Sequence, residues 1–411
     1  MRIEFSPPDV SDQEIIEVIK CLRSGWITTG PRTRQLEKKV SEYCGVQQAV
    51  CVNSATAALE MTLRLLGIGE GDEVITSAYT YSASAAVIHH VGAKIVLVDT
   101  AKNSYEMDVN RLADAITEKT KAIIPVDIGG VMCDYQLIFD VARKKARLFR
   151  PSGNKLQRLF RRPVVLADAA HSFGAVYEGK RSGNVADFSC FSFHAVKNMT
   201  TAEGGAIVWR ERPGLDSEQI HKDLMLLALH GQTKDAMAKL APGAWEYDIA
   251  LPGYKCNMTD ILASLGLAQF RRFEALMKRR KALMSLYDRM LSPLDIERLD
   301  HFQPRRPGNA HLYLTRIRGI DETHRNEVIK RMAEHGVATN VHFKPLPLFT
   351  AYKNLGFDIV KYPNAYAQYA NEITLPMHSL LTDQQAIYVA ETFKRVLLSA
   401  PSADMFYRKY G

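Results

Sequence analysis

The chain has 411 residues, which is length for two or three domains with a sizeable core and excludes a disulfide-stapled peptide or a disordered tail. Hydrophobic residues at 46% and charged residues at 24% give the balance of a globular chain, not of a low-complexity or membrane one. The net charge of +8 invites an acidic partner, but nine basic and no acidic residues lie between Arg143 and Arg162, and removing them leaves 44 basic against 45 acidic; a basic stripe for nucleic acid is therefore not expected.

The opening MRIEFSPPDVSDQEI has no apolar signal core, and no apolar run approaches the roughly 18 residues of a membrane span, so a cytoplasmic protein is expected. From about residue 48 to 210, short apolar runs alternate with helical stretches: AVCV at 49–52, EVIT at 73–76, KIVLV at 94–98, AIIPV at 122–126, VVLAD at 164–168, FSCFSF at 188–193 and AIVW at 206–209. Such runs predict seven strands of an α/β, mainly parallel sheet buried on both faces. A long helix is expected from Thr259 to about Leu291, then a Pro/Gly linker at Gln303 to Gly308, then a smaller C-terminal α+β unit with the strand HLYLTRI and the helix NEVIKRMAEHG. The division expected is a large domain at 1–270, carrying a basic insertion at about 145–162, and a small domain at 271–411. Six scattered cysteines with no Cys-x-x-Cys pair argue against zinc and against a disulfide framework.

Ligands of open α/β sheets bind beyond the carboxyl ends of the strands, so polar residues after strand runs are candidates. Asn53-Ser54-Ala55-Thr56 follows AVCV and opens a helix, which suits an anion at free backbone N–H groups, or simply an N-cap by Ser54 or Thr56. Gly67, Gly69 and Gly71 imitate a dinucleotide fingerprint but precede their strand, the wrong order for NAD. Asp168 ends VVLA, with His171 three residues on, and Lys197 follows Ser192-Phe193-His194-Ala195-Val196. An anion site, a strand-end aspartate and a lysine 29 residues further on are what pyridoxal phosphate (PLP) requires. The lysine holds the aldehyde as a Schiff base and then moves a proton, while the aspartate keeps the ring nitrogen protonated.

Over nearly its full length the chain resembles the DegT/DnrJ/StrS family of nucleotide-sugar aminotransferases, of fold type I among PLP enzymes. The matching stretches are Ser24 to Pro31, Ser54 to Ala57, Gly71 to Thr76, Asp168 to His171, Phe191 to Gly205 and Gly253 to Asn257. SGWITTGP, FSFHAVKN and GYKCN look most like the branch that makes UDP-4-amino-4-deoxy-L-arabinose. The resemblance implies Lys197 as the Schiff-base lysine, Asp168 as partner of the ring nitrogen and His171 beside the ring and its phenolic oxygen. It also implies that Ser192 and the backbone of Ala55 and Thr56 bind the phosphate, and that Tyr81 stacks on the ring. Asn257 or Lys255 would reach the neighbouring subunit's phosphate in a homodimer with shared sites. The implied substrates are a nucleotide-linked 4-ketosugar and L-glutamate, for surface polysaccharide, lipopolysaccharide or antibiotic sugars.

Asn198 and Glu203 read equally well as structural, and His194 reads as a satisfied core histidine. Two features depart from the family: Asp127 follows AIIPV where relatives commonly carry histidine, so substrate contacts there are expected to differ, and the basic stretch has no counterpart. RLFRPSGNKLQRLFRR interleaves Leu and Phe with arginine, which suits either a solvated insertion or a peripheral contact with an anionic membrane or acidic partner. Two alternatives share the fold: a PLP-dependent sugar dehydratase, in whose relatives histidine replaces the lysine, and a non-catalytic regulator.

Overall fold

The structure, a computed structural model, describes residues 1–234 and 245–398. All seven apolar runs become strands of one sheet: β1 (Ala49–Val52), β2 (Glu73–Ser77), β3 (Lys94–Val98), β4 (Thr120–Ile124), β5 (Val164–Asp168), β6 (Phe188–Ser192) and β7 (Gly205–Trp209). Their order is β1-β7-β6-β5-β4-β2-β3, and only β7 runs against its neighbours. The fourth run was expected at 122–126 but lies two residues earlier, because Pro125 has no N–H to give a ladder.

Alternation along the strands explains why the sheet is covered twice. Val50, Val74, Ile124, Leu166 and Ile207 enter one apolar core, and Cys51, Ile75, Ile123, Val165 and Val208 enter another on the opposite face. With both faces covered, polar function is left to the strand ends.

The helix Asp260–Leu291 is a single element of 32 residues that runs straight through residue 270. Its last turns, from Leu283 on, join a third core with a three-stranded antiparallel sheet of β8 (Ile296–Arg298), β9 (Tyr313–Ile317) and β10 (Glu372–Leu375). Ile3 packs in that same core and bridges to Val337, so the chain start adheres to the smaller unit. The Gln303 to Gly308 stretch is a pinned strap and not a loose connection. Pro307 and Arg305 carbonyls accept from Val176 and Glu178, and Arg306 pairs with Glu106 at 2.6 Å.

The basic segment is also docked. Asn154 caps the helix Lys155–Phe160 and donates to the Leu65 carbonyl, while buried Gln157 donates to Leu66. Phe149 and Phe160 are buried, and Leu156 packs on the main core. Arg162 forks onto the buried Asp187 carboxylate at 2.7 and 2.8 Å. The aromatic side chains are thus spent inside, and the exposed remainder of the segment is mostly cationic. Among the described residues, no helix is long and apolar enough to cross a membrane.

Candidate active site

The carboxyl ends of β1, β5 and β6 open into one cavity of about 530 Å³, closed on its other side by the smaller unit. It brings together Ala55, Thr56, Tyr81, Asp168, His171, Ser192 and Lys197, but not Asn257.

At the end of β1, Ser54 is extended and caps the helix Ala55–Leu65, its Oγ accepting from the Ala57 N–H at 3.0 Å. The cap reading holds, and it leaves the N–H groups of Ala55 and Thr56 without partners among the described residues, open to an anion. Gly205 permits this arrangement: a Cβ there would lie 2.5 Å from the Ser54 carbonyl carbon. Ser192, at the end of β6, stands on the same cavity.

Asp168 ends β5. Ser84 Oγ donates to it at 2.6 Å and the Ala170 N–H at 3.2 Å. Burial raises its carboxyl above the ordinary value, while these two bonds and the nearby Lys197 favour the ionised form. Lys197 sits in the loop between β6 and β7, in a turn closed by its N–H on the His194 carbonyl at 2.9 Å. Burial pushes its amine down to about 8, partly opposed by Asp168. Its neighbour Asn198 clamps the loop to the smaller unit, donating to the Asn309 carbonyl at 2.9 Å and accepting from His311 Nδ1 at 3.0 Å.

His171 accepts the Gly129 N–H on Nδ1 at 3.2 Å, which leaves its proton on Nε2. Burial drives it and His311 well below the usual histidine range, so both are neutral. Tyr81 is exposed, its ring 6.0 Å from that of Phe343.

One expectation fails. His194 is not a core histidine: the chain turns outward as β6 ends, and its side chain is 47% exposed on the cavity rim, 3.6 Å from Glu203. Asp127, where relatives commonly carry histidine, is absent from the cavity lining. It is fully buried behind Asp168, accepting from Ser172 at 2.6 Å and from Tyr135 and Cys133 at 2.9 Å, and burial lifts its carboxyl to about 7. Asn257 instead donates to Thr29 Oγ1 at 2.5 Å and accepts from Lys255. Thr29 borders a separate hollow of about 1150 Å³.

Sequence reasoning missed the opposite wall: Phe5 and Ser6 from the chain start, and His311, Asn340, His342 and Phe343 from the smaller unit. Their only sequence signal was the polar pair His342 and Lys344 among apolar neighbours before Pro345, too common a pattern to single out.

The donor set fits pyridoxal phosphate. Two open N–H groups and a serine suit its phosphate, a buried carboxylate suits a protonated ring nitrogen, and a depressed amine suits its aldehyde. A fold of this type with this cavity defines a PLP-dependent enzyme of fold type I. The chain belongs to the DegT/DnrJ/EryC1/StrS aminotransferase family, which matches residues 8–394. Spr1654 of Streptococcus pneumoniae, assigned as a sugar aminotransferase and solved in PMP, apo and PLP forms, is 53% identical to it in the PMP form. That alignment has a TM-score of 0.94 and covers 96% of this chain and 99% of the other. Protein MJ1066 of Methanocaldococcus jannaschii is 37% identical over 97% of this chain and 99% of its own. The spore coat polysaccharide biosynthesis protein SpsC of Bacillus subtilis is 35% identical over 97% and 98%. The protein is thus a PLP-dependent aminotransferase.

Proposed function

We propose that the enzyme transfers an amino group from L-glutamate to a 4-ketosugar carried on a nucleotide, for a surface polysaccharide, lipopolysaccharide or antibiotic sugar. The observation that carries this reading is the meeting of Lys197, Asp168 and the open helix start at Ala55 and Thr56 in one cavity. The sugar reading is supported by Spr1654 and by SpsC, named for polysaccharide biosynthesis.

PLP, when bound, supplies an electron-accepting ring that makes a proton on the adjoining substrate carbon removable. Asp168 would keep the ring nitrogen protonated, and Tyr81 would lie against the ring. Ser192 with the Ala55 and Thr56 N–H groups would hold the phosphate, and His171 would donate from Nε2 toward the phenolic oxygen. Lys197 would carry a proton to and from the substrate carbon, a task suited to an amine whose pKa is near the working pH. Amine leaves glutamate as 2-oxoglutarate departs and reaches the ketosugar in a second half-reaction, which implies ping-pong kinetics.

A homodimer with shared sites is part of this reading. The helix Asp12–Arg23 turns its polar side inward, with Glu14 and Glu17 buried, and exposes Ile15, Ile16, Ile19 and Leu22 at 40 to 53%. Such a stripe suits a covering copy, and Asn257 or Lys255 would then serve the partner's phosphate. Six free, buried cysteines agree with a reducing compartment, the cytoplasm.

Incubating the enzyme with glutamate and a panel of UDP-, GDP- and dTDP-linked 4-ketosugars, read by mass, tests the assignment. The UDP-linked precursor of 4-amino-4-deoxy-L-arabinose comes first because of SGWITTGP, FSFHAVKN and GYKCN. Amination of no panel member would overturn it. A dehydratase would yield a deoxygenated sugar without consuming glutamate, a reading that Lys197 disfavours.

A further inference from the structure

On the smaller unit's wall, His342 lines the cavity with its Nδ1 turned away, 2.9 Å from Thr374 Oγ1. The Thr374 hydroxyl in turn lies 2.6 Å from Oε1 of Glu372, and Oε2 of that carboxyl accepts the His342 backbone N–H at 2.8 Å. Glu372 and Thr374 stand two residues apart on β10, hence on one face, and both are fully buried. Nε2 of His342 has no hydrogen-bond partner among the described residues.

A threonine hydroxyl has one proton to give. With Glu372 ionised, that proton goes to the carboxylate, the threonine accepts from His342 Nδ1–H, and Nε2 is bare. With Glu372 protonated, its O–H donates to Thr374, the threonine donates to Nδ1, and a neutral ring carries its proton on Nε2. We propose that Glu372 and Thr374 are positioning residues that set the tautomer of His342. The cavity wall then accepts a hydrogen bond at Nε2 when Glu372 is ionised and donates one when it is protonated.

Burial takes the His342 imidazolium down to about 3, so the ring is neutral in both states, and burial raises the Glu372 carboxyl to about 8, within experimental reach. Around Glu372 stand Arg325, which favours ionisation, the buried phenols Tyr79 and Tyr105, and Arg316, paired across the strands and held by Glu297 at 2.7 Å. Lys197, His171 and His311 face His342 from the cavity; of these the free Lys197 amine titrates near Glu372, and PLP would take that amine up, which is why the loaded enzyme is the one to examine. A bare Nε2 suits a sugar hydroxyl, and Nε2–H suits a ketone or carboxylate oxygen. That bearing on substrate rests on the proposed function, whereas the relay does not.

The test is ¹⁵N-histidine NMR of the PLP-loaded enzyme without substrate between pH 6 and 10, with the His342 signals assigned by their loss in His342→Asn. The wild type is expected to change from a protonated to a bare Nε2 as pH rises. Glu372→Gln reproduces the protonated pattern, its carbonyl accepting the backbone N–H and its amide donating to Thr374, so Nε2 should stay protonated at every pH. Thr374→Val should abolish the linkage and Thr374→Ser restore it. An Nε2 that keeps one state in the wild type, or that still changes in Glu372→Gln, overturns the relay. If the relay holds, Thr374→Val should raise KM for the ketosugar roughly fivefold with kcat nearly unchanged, the loss of about one hydrogen bond; an unchanged KM would refute only the substrate role.

Discussion

The cavity has two unlike walls. The wall built by the large sheet is charged and fixed at strand ends: Asp168 on β5, Ser192 on β6, Lys197 in the loop that follows, and a capped helix start after β1. The facing wall contributes two neutral imidazoles, His311 and His342, with Phe343, all from segments flanking the small sheet. Fixed charge on one side can hold a cofactor of defined polarity in one pose. On the other, the His342 ring can change between donor and acceptor while itself staying neutral, which suits two substrates of different chemistry taken in turn.

The largest break in this contrast is Lys197→Ala. It should lower turnover by at least about 10³-fold, since it removes both the aldehyde anchor and the proton carrier, and abolish the visible absorbance of the loaded enzyme; a variant retaining both would remove Lys197 from the mechanism. Next, Asp168→Asn keeps the shape but not the charge, and kcat is expected to fall roughly 10²-fold or more with the chain still folded by circular dichroism. An unchanged kcat would mean the carboxylate is structural only. Asn198→Ala cuts the clamp that joins the two walls, because Asn198 holds both the Asn309 carbonyl and His311. A loss of about tenfold to 10²-fold is expected from misplacement of Lys197, and kcat/KM for both substrates should report it together. The smallest effect is in pH. The Lys197 amine, lowered from the usual 10.5 to about 8, is neutral above that value, so PLP uptake by cofactor-free protein should quicken with pH and level off above about 8. A rise continuing toward 10.5 would place the amine in water.

The same two walls divide what the sequence revealed from what it hid. β-branched runs buried on both faces announce the seven strands, and residues just after them must be polar for a reason, which exposed Asp168, Ser192 and the Ser54 cap. His342, Asn340 and Phe5 carry no such periodicity: they reach the cavity only because the smaller unit folds back, a long-range fact invisible in local spacing. Asp127 shows the complementary limit of strand-end reasoning. It follows a strand, but Ser172, Tyr135 and Cys133 turn it into a satisfied buried carboxyl behind the site. The basic stretch is ambiguous through its composition, since alternating Leu, Phe and Arg reads alike whether the apolar side meets a membrane or, as for Leu156 and Phe160, the protein's own core.

The measurement that tests the central claim most directly is the first half-reaction alone: loaded enzyme with glutamate and no sugar acceptor. One equivalent of 2-oxoglutarate per site, with loss of the visible absorbance that a later ketosugar addition restores, is the expected result. Absorbance unmoved by glutamate, or 2-oxoglutarate appearing only when the ketosugar is present, would contradict an amino transfer in two separate steps.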